Sequence, residues 1–177
     1  MVSLRSNHLS AVIELRGQRI DTSNFYFPSL ALIVHRNPDL IGFNHDTVAR
    51  TPSYWVQYGY SRNRIDQILS ANLTSGSPGP IYWSAGLLQG SNNLSLKLIN
   101  SDSKSQTVNV KLDKGHRFTS NKGSTWGISG NDRDAVNTVQ SPNTISPKKG
   151  SVSANGDSMT VKMSGHSFQV ITIGISS

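Results

Sequence analysis

Few side chains in this 177-residue chain can move protons or attack carbon, and their spacing supports little chemistry. Glu14 is the single glutamate and there is no cysteine. A glutamate pair, a thiol nucleophile, a disulfide and a cysteine-ligated metal are therefore excluded. Asp39 and Asp46 flank a short apolar stretch; structural loop roles are expected for both, with substitute catalytic carboxylates as the alternative. Asp132 and Asp134 sit two apart in a Gly/Asn-rich segment; a turn with Asx capping is expected there, with a weak calcium-ligand pair as the alternative. His8, His35, His45, His116 and His166 show no metal-ligand spacing. No GxSxG elbow supports a Ser/His/Asp triad. His45 follows Phe43-Asn44 and is a weak candidate to face a ligand. Trp55, Trp83 and Trp126 have rings able to stack on sugars; Trp126 is the weak candidate among them, and core packing is the expected role of each. No catalytic residue, metal site or cofactor is expected. Asn72-Leu73-Thr74 and Asn93-Leu94-Ser95 are glycosylation sequons, which matter if the chain is secreted.

Apolar residues make up 35% of the chain, low for a compact enzyme and suited to a small β-sandwich with polar faces. The net charge is +7, but the longest basic run is the Lys148-Lys149 pair. A dispersed charge of this kind reads as a basic surface, not as a nucleic-acid footprint. No apolar run approaches the roughly 20 residues of a membrane span. Residues 1 to 18 lack a continuous apolar core and a cleavage site, so they do not read as a signal peptide.

The elements that must position these groups read as follows. Leu9, Val12, Ile13 and Leu15 suggest one or two helical turns before Gly17. Residues 24 to 34 read as a short helix from Pro28 or as a buried strand. Leu40 to Phe43 reads as a short buried strand and Asn44-His45-Asp46 as a loop. A helix then starts with Thr51 or Ser53 as cap and Pro52 in its first turn. Tyr54, Trp55, Tyr58 and Ile65 share one broad face of it, with Arg62 and Arg64 near its C-terminus. Asn72 to Pro80 has the composition of a linker. Ile81 to Ala85 is a strand. Leu94, Leu96 and Leu98, then Val108, Val110 and Leu112, alternate with polar residues and predict a hairpin with one buried face. Phe118, Trp126 and Ile128 are candidate buried anchors, and residues 132 to 150 form a long polar crossover. Met159 to Met163 and Phe168 to Ile173 predict a second hairpin. Together these segments predict a mainly β chain ending in a jelly-roll-like β-sandwich.

Three segments carry a family resemblance. The first is Pro38-Asp39-Leu40-Ile41-Gly42-Phe43-Asn44, followed by Thr51-Pro52-Ser53-Tyr54-Trp55-Val56-Gln57 and Ser61-Arg62-Asn63-Arg64. The second is Gly79-Pro80-Ile81-Tyr82-Trp83-Ser84-Ala85-Gly86. The third is Asp134-Ala135-Val136-Asn137-Thr138, then Ser141-Pro142-Asn143 and Ile145-Ser146-Pro147, ending in His166-Ser167-Phe168-Gln169-Val170-Ile171-Thr172. In this order they resemble the C-terminal part of fungal-type α-L-arabinofuranosidases of glycoside hydrolase family 51. The resemblance covers residues 37 to 177 and leaves 1 to 36 unmatched. Ile65 departs from the glycine usual in that family at the helix exit.

The resemblance implies a (β/α)8 barrel that releases terminal arabinofuranosyl residues from arabinan or arabinoxylan, with a β-sandwich attached. Residues 37 to 70 would be the last strand and helix of that barrel, 71 to 80 a linker and 81 to 177 the sandwich. It also implies an extracellular setting and arabinose-containing glycans as the partner, with no nucleic acid or membrane. Retaining glycoside hydrolysis uses two carboxyls about 5 Å apart. The family's two glutamates lie upstream of the matching region, so this chain alone is expected to be inactive. The competing readings are a stand-alone carbohydrate-binding β-sandwich and a structural module with no ligand.

Overall fold

The computed structural model describes residues 8–19, 40–76, 79–130 and 132–176. The readings of residues 24 to 34, His35 and Asp39 lie outside these. Among the described residues are twelve strands and one helix. The strands are β1 (His8–Arg19), β2 (Ile41–Phe43), β3 (Val48–Arg50), β4 (Ile65–Ser75), β5 (Ile81–Leu88), β6 (Asn93–Asn100), β7 (Gln106–Leu112), β8 (Arg117–Phe118), β9 (Lys122–Ser129), β10 (Lys148–Asn155), β11 (Ser158–Met163) and β12 (Ser167–Ser176). The helix, α1, spans Pro52–Arg62.

Nine strands run in the order β6-β5-β4-β1-β7-β11-β10-β9-β12, and pairing of β12 with β6 closes this sheet on itself. The short β8 pairs with the end of β12. Closure leaves these strands without an open edge. The curled sheet wraps one core, in which Leu94, Leu96, Leu98, Val108, Val110, Leu112, Val161 and Ile171 are all buried. This is the mainly β, sandwich-type architecture expected from the strand pattern.

Two expected hairpins are not hairpins. β6 pairs with β5 and β12, while β7 pairs with β1 and β11. Likewise β11 pairs with β7 and β10, while β12 pairs with β6, β9 and β8. Each predicted turn is a crossover between distant parts of the sheet. Period-two alternation says which side of a strand is buried, but not which strand lies beside it. The two crossovers are tied together at one end of the sheet. The Asn100 amide donates to the carbonyls of Lys104 and Ser164, at 2.8 Å each. Its Oδ1 accepts from the Asp102 amide at 3.1 Å.

Two further expectations change. His8–Arg19 is strand, not helical turns, because it pairs on both sides: antiparallel to β4 and parallel to β7. Ile65–Ser75, expected as helix end and then linker, is strand β4. Leu69 is buried in the core, with Ala71 and Leu73 packed against it at the same alternation, while Asn72 points outward. The Ser, Asn and Thr residues that suggested a linker are the outward positions of a strand.

Candidate functional site

Residues 40 to 62 lie against the outer face of the sheet. β2 and β3 form a separate two-stranded ribbon, with Ile41 opposite Arg50 and Phe43 opposite Val48. Asn44 makes the turn, its Oδ1 accepting from the amides of Asp46 at 3.1 Å and Thr47 at 2.7 Å. The expected buried strand is thus one side of an exposed hairpin: Ile41 is 40% exposed and Phe43 76%. The opposite ribbon face, with Gly42 and the buried Ala49, turns inward toward Val139.

Thr51 caps the helix as expected, its Oγ1 accepting from the Tyr54 amide at 3.3 Å, with Pro52 in the first turn. Asn63 closes the C-terminal end by donating to the Gly59 carbonyl at 2.8 Å. Ile65 is therefore not on the helix face assigned to it; it opens β4. Trp55, Val56 and Tyr60 pack with Trp126, Phe168, Val170, Ile128 and Ile145 in a second apolar cluster on the outside of the sheet. Gly59 lets the helix come close, since a Cβ there would lie 2.6 Å from a Phe168 ring carbon and 2.7 Å from a Trp126 ring carbon. Both rings are held between helix and sheet. A Gly59→Val variant is therefore expected to lose about 2 kcal/mol or more of stability by urea unfolding, despite glycine's poor helix propensity. Unchanged stability would mean the helix can lift off freely.

The long crossover holds this unit down through Asn137. Its amide donates to the carbonyls of Arg50 at 2.6 Å and Ile145 at 2.7 Å, and its Oδ1 accepts from the Ile145 amide at 2.7 Å. Asn137 was visible in the sequence only as part of a resemblance; the structure gives it a role, fastening the end of the ribbon to the sandwich.

Lys97 is one of the polar residues that alternate with Leu94, Leu96 and Leu98 along β6. It is 3% exposed. The outer face of β6 is covered, and the Lys97 Nζ sits 5.2 Å from the centre of the Tyr60 ring. Among the described residues no carboxylate or hydrogen-bond acceptor meets it. Ser84, directly opposite on β5, and Ser95, two residues earlier on the same face, have buried hydroxyls without a partner. Burial lowers the Lys97 pKa from 10.5 to about 8. No sequence signal marks this, because the alternation of β6 is that of a strand with one wet face.

The weak candidates are placed as follows. His45 is at the exposed ribbon turn, 2.9 Å from the Asp46 carboxylate. Trp126 lies beneath α1, its ring 5.8 Å from Tyr58 and 6.4 Å from Phe168. The two are not brought together. Trp83 donates its indole N–H to the Ala71 carbonyl at 3.1 Å. His116 donates from Nδ1 to the Ser176 carbonyl at 2.9 Å. Asp132 accepts from the Asp134 amide at 2.7 Å, the Asx turn expected of that pair. Asn72 is exposed on β4, and Asn93 is half-buried at the start of β6. Among the described residues no group of three or more His, Cys, Asp or Glu could hold a metal, and no helix is long and apolar enough to cross a membrane.

The described residues thus form a closed β-sheet that carries a two-stranded ribbon and a helix on its outer face. The family model for the α-L-arabinofuranosidase C-terminal domain matches residues 28–167, and the chain belongs to this family. It is 31% identical over 143 residues to α-L-arabinofuranosidase A of Aspergillus kawachii, covering 78% of this chain and 21% of that protein. It is 36% identical over 99 residues to a probable α-L-arabinofuranosidase A of Aspergillus flavus, covering 53% of this chain and 15% of that protein. Among solved structures, the arabinose-bound α-L-arabinofuranosidase MgGH51 superposes with a TM-score of 0.69 at 25% identity, covering 80% of this chain and 22% of that one. The GH51 α-L-arabinofuranosidase of Thermotoga petrophila shares the fold, with a TM-score of 0.64 at 13% identity over 75% of this chain and 31% of that one. The chain thus spans about a fifth of the length of the Aspergillus kawachii relative.

Proposed function

We propose that this chain serves as the non-catalytic C-terminal domain of an α-L-arabinofuranosidase-type glycoside hydrolase. The match over residues 28–167 carries this reading. The arabinofuranosyl-releasing chemistry, acting on arabinan or arabinoxylan, belongs to a barrel of the longer protein. In this reading residues 40 to 62 are the seam with that barrel, and the place of β4 in the sheet supports an end of the seam before Ile65. The setting is extracellular, as the resemblance implies, where Asn72 is the better-presented of the two sequon asparagines.

The purified chain is expected to release no arabinose from a chromogenic arabinofuranoside, since the resemblance implies a pair of catalytic glutamates and Glu14 is the single glutamate. Turnover above a buffer control would overturn the absence of a catalytic pair. The stand-alone carbohydrate-binding reading relied on Trp126 as a stacking ring, and its position under α1 weighs against that role.

A further inference from the structure

Lysines that are scattered along the chain gather on one face of the sheet. The outward positions of β7, β11, β10 and the first half of β9 are Ser, Thr, Asn or Lys throughout. Four of them are lysines, Lys111, Lys162, Lys149 and Lys122, all exposed, and none is a carboxylate. The alternate positions of the same strands, such as Val110, Val161 and Val152, are buried in the core. The register sets the spacing. Lys162 pairs with Thr107, four residues before Lys111, and Lys122 pairs with Ser153, four residues after Lys149. At a rise of about 3.3 Å per residue and about 4.8 Å between strands, each of these two lysine pairs spans about 14 Å. One acid meets the face among the described residues, at its end: Asp157, in the β10–β11 turn, is 3.7 Å from Lys111. Lys122, Lys149 and Lys162 make no ion pair among the described residues.

We propose that the outward face of β7, β11, β10 and β9 binds a uronic-acid-bearing polysaccharide, whose carboxylates pair with Lys111, Lys122, Lys149 and Lys162. This rests on the function proposed above, which sets the chain beside an extracellular glycan, and adds the chemistry of that glycan. Charge complementarity selects the occupant. The chain carries a net charge of +7. Ammonium groups spread at such intervals suit an extended polymer with an anion on each unit better than one small anion. The residues between the lysines, such as Thr160, Ser151 and Asn109, carry hydroxyls and an amide, which exchange hydrogen bonds with sugar hydroxyls. No aromatic ring stands among them; Trp126, the next outward residue of β9, is packed under α1. Single-stranded nucleic acid is held by rings on which its bases stack, and this face offers none. Each exposed ion pair contributes little alone, so binding needs several at once.

The test is calorimetric titration of the purified chain with polygalacturonate, a linear chain of uronic acids, and with its methyl ester, which keeps the backbone and removes the charge. The wild-type chain is expected to bind polygalacturonate, less tightly as salt is raised, and to bind the ester at least about tenfold more weakly. Lys122→Gln/Lys162→Gln is expected to weaken binding about fivefold, as loss of two exposed ion pairs does, with an unchanged melting temperature. Arg62→Gln/Arg133→Gln, at the end of α1 and in the long crossover, lowers the net charge equally from outside the face and is expected to bind as wild type. Equal losses in the two double variants would mean that net charge alone acts, and would overturn the face. Equal binding of the ester, or no binding of polygalacturonate at low salt, would overturn the uronate. Single-stranded DNA bound as tightly as polygalacturonate would make the occupant any polyanion and overturn the glycan. The function proposed above fails on a different result, turnover of a chromogenic arabinofuranoside, so the two are separable.

Discussion

An Asn137→Ala variant is expected to be less stable by about 3 kcal/mol, at roughly 1 kcal/mol for each of three buried hydrogen bonds lost. The alanine leaves the Arg50 and Ile145 carbonyls and the Ile145 amide without the partners that Asn137 supplies. Urea unfolding monitored by circular dichroism measures this. For a chain of this length the melting temperature should fall by about 6–12 °C. The loss should not be uniform, because Asn137 ties the end of β3 to the long crossover and so holds the ribbon against the sandwich. Amide hydrogen exchange is expected to rise in residues 41 to 50 while β6 and β12 stay protected. Asn137→Asp separates shape from chemistry: a carboxylate can still accept from the Ile145 amide, but it cannot donate to the two carbonyls, which it repels. It should destabilise at neutral pH as much as alanine does, and less once acid protonates it. A change under about 0.5 kcal/mol for either variant would show that water replaces the clamp at no cost.

Lys97→Met is expected to act in the opposite direction, raising stability by about 1–3 kcal/mol at pH 7. Methionine keeps the stem packed beside Tyr60 and removes a charge that has no counter-ion among the described residues. The pH dependence gives the sharper test. The amine titrates near 10.5 in the unfolded chain and near 8 in the folded one, because burial disfavours its charged form. Below pH 8 both states carry the proton, and folding bears the full cost of burying the charge. Between these values the unfolded state holds the proton and the folded state does not, so wild-type stability rises with pH, by up to roughly 3 kcal/mol across the window. The cation–π contact with Tyr60 recovers part of the cost and reduces that figure. The methionine variant lacks this rise, so the difference between the two proteins shrinks from pH 8 to pH 10.5. A constant difference across that range would mean Lys97 is solvated in the folded state. Lys97→Glu should destabilise throughout, since the same site then holds an unpaired carboxylate.

These two residues show where reading a sequence stops. Binary patterning told strand from helix in β7, β11 and much of β12, but missed β10, whose Lys148–Gly150 start was read as crossover. It narrowed the cap to Thr51 or Ser53 and put Pro52 in the first turn, because those depend on neighbours within four residues; the structure selects Thr51. The order of the short motifs carried the family, and the lone Glu14 excluded a glutamate pair. Three things depended on contacts between residues far apart in the chain. The partner of each strand was one: Leu94–Leu98 and Val108–Leu112 have the same alternation whether they pair or face each other across a core. The covering of the outer face of β6 was another, since α1 lands there from more than thirty residues upstream and turns Lys97 from a surface lysine into a buried one. The exposure of Phe43 was the third, because the short stretch Ile41-Gly42-Phe43 reads as buried until the ribbon is seen to hold Ile41 and Phe43 outward. Local chemistry determined α1 and the alternating strands, though not β1 or β4, and the absence of a glutamate pair. Which faces are covered was decided only by tertiary packing, because burial depends on what arrives from elsewhere in the chain.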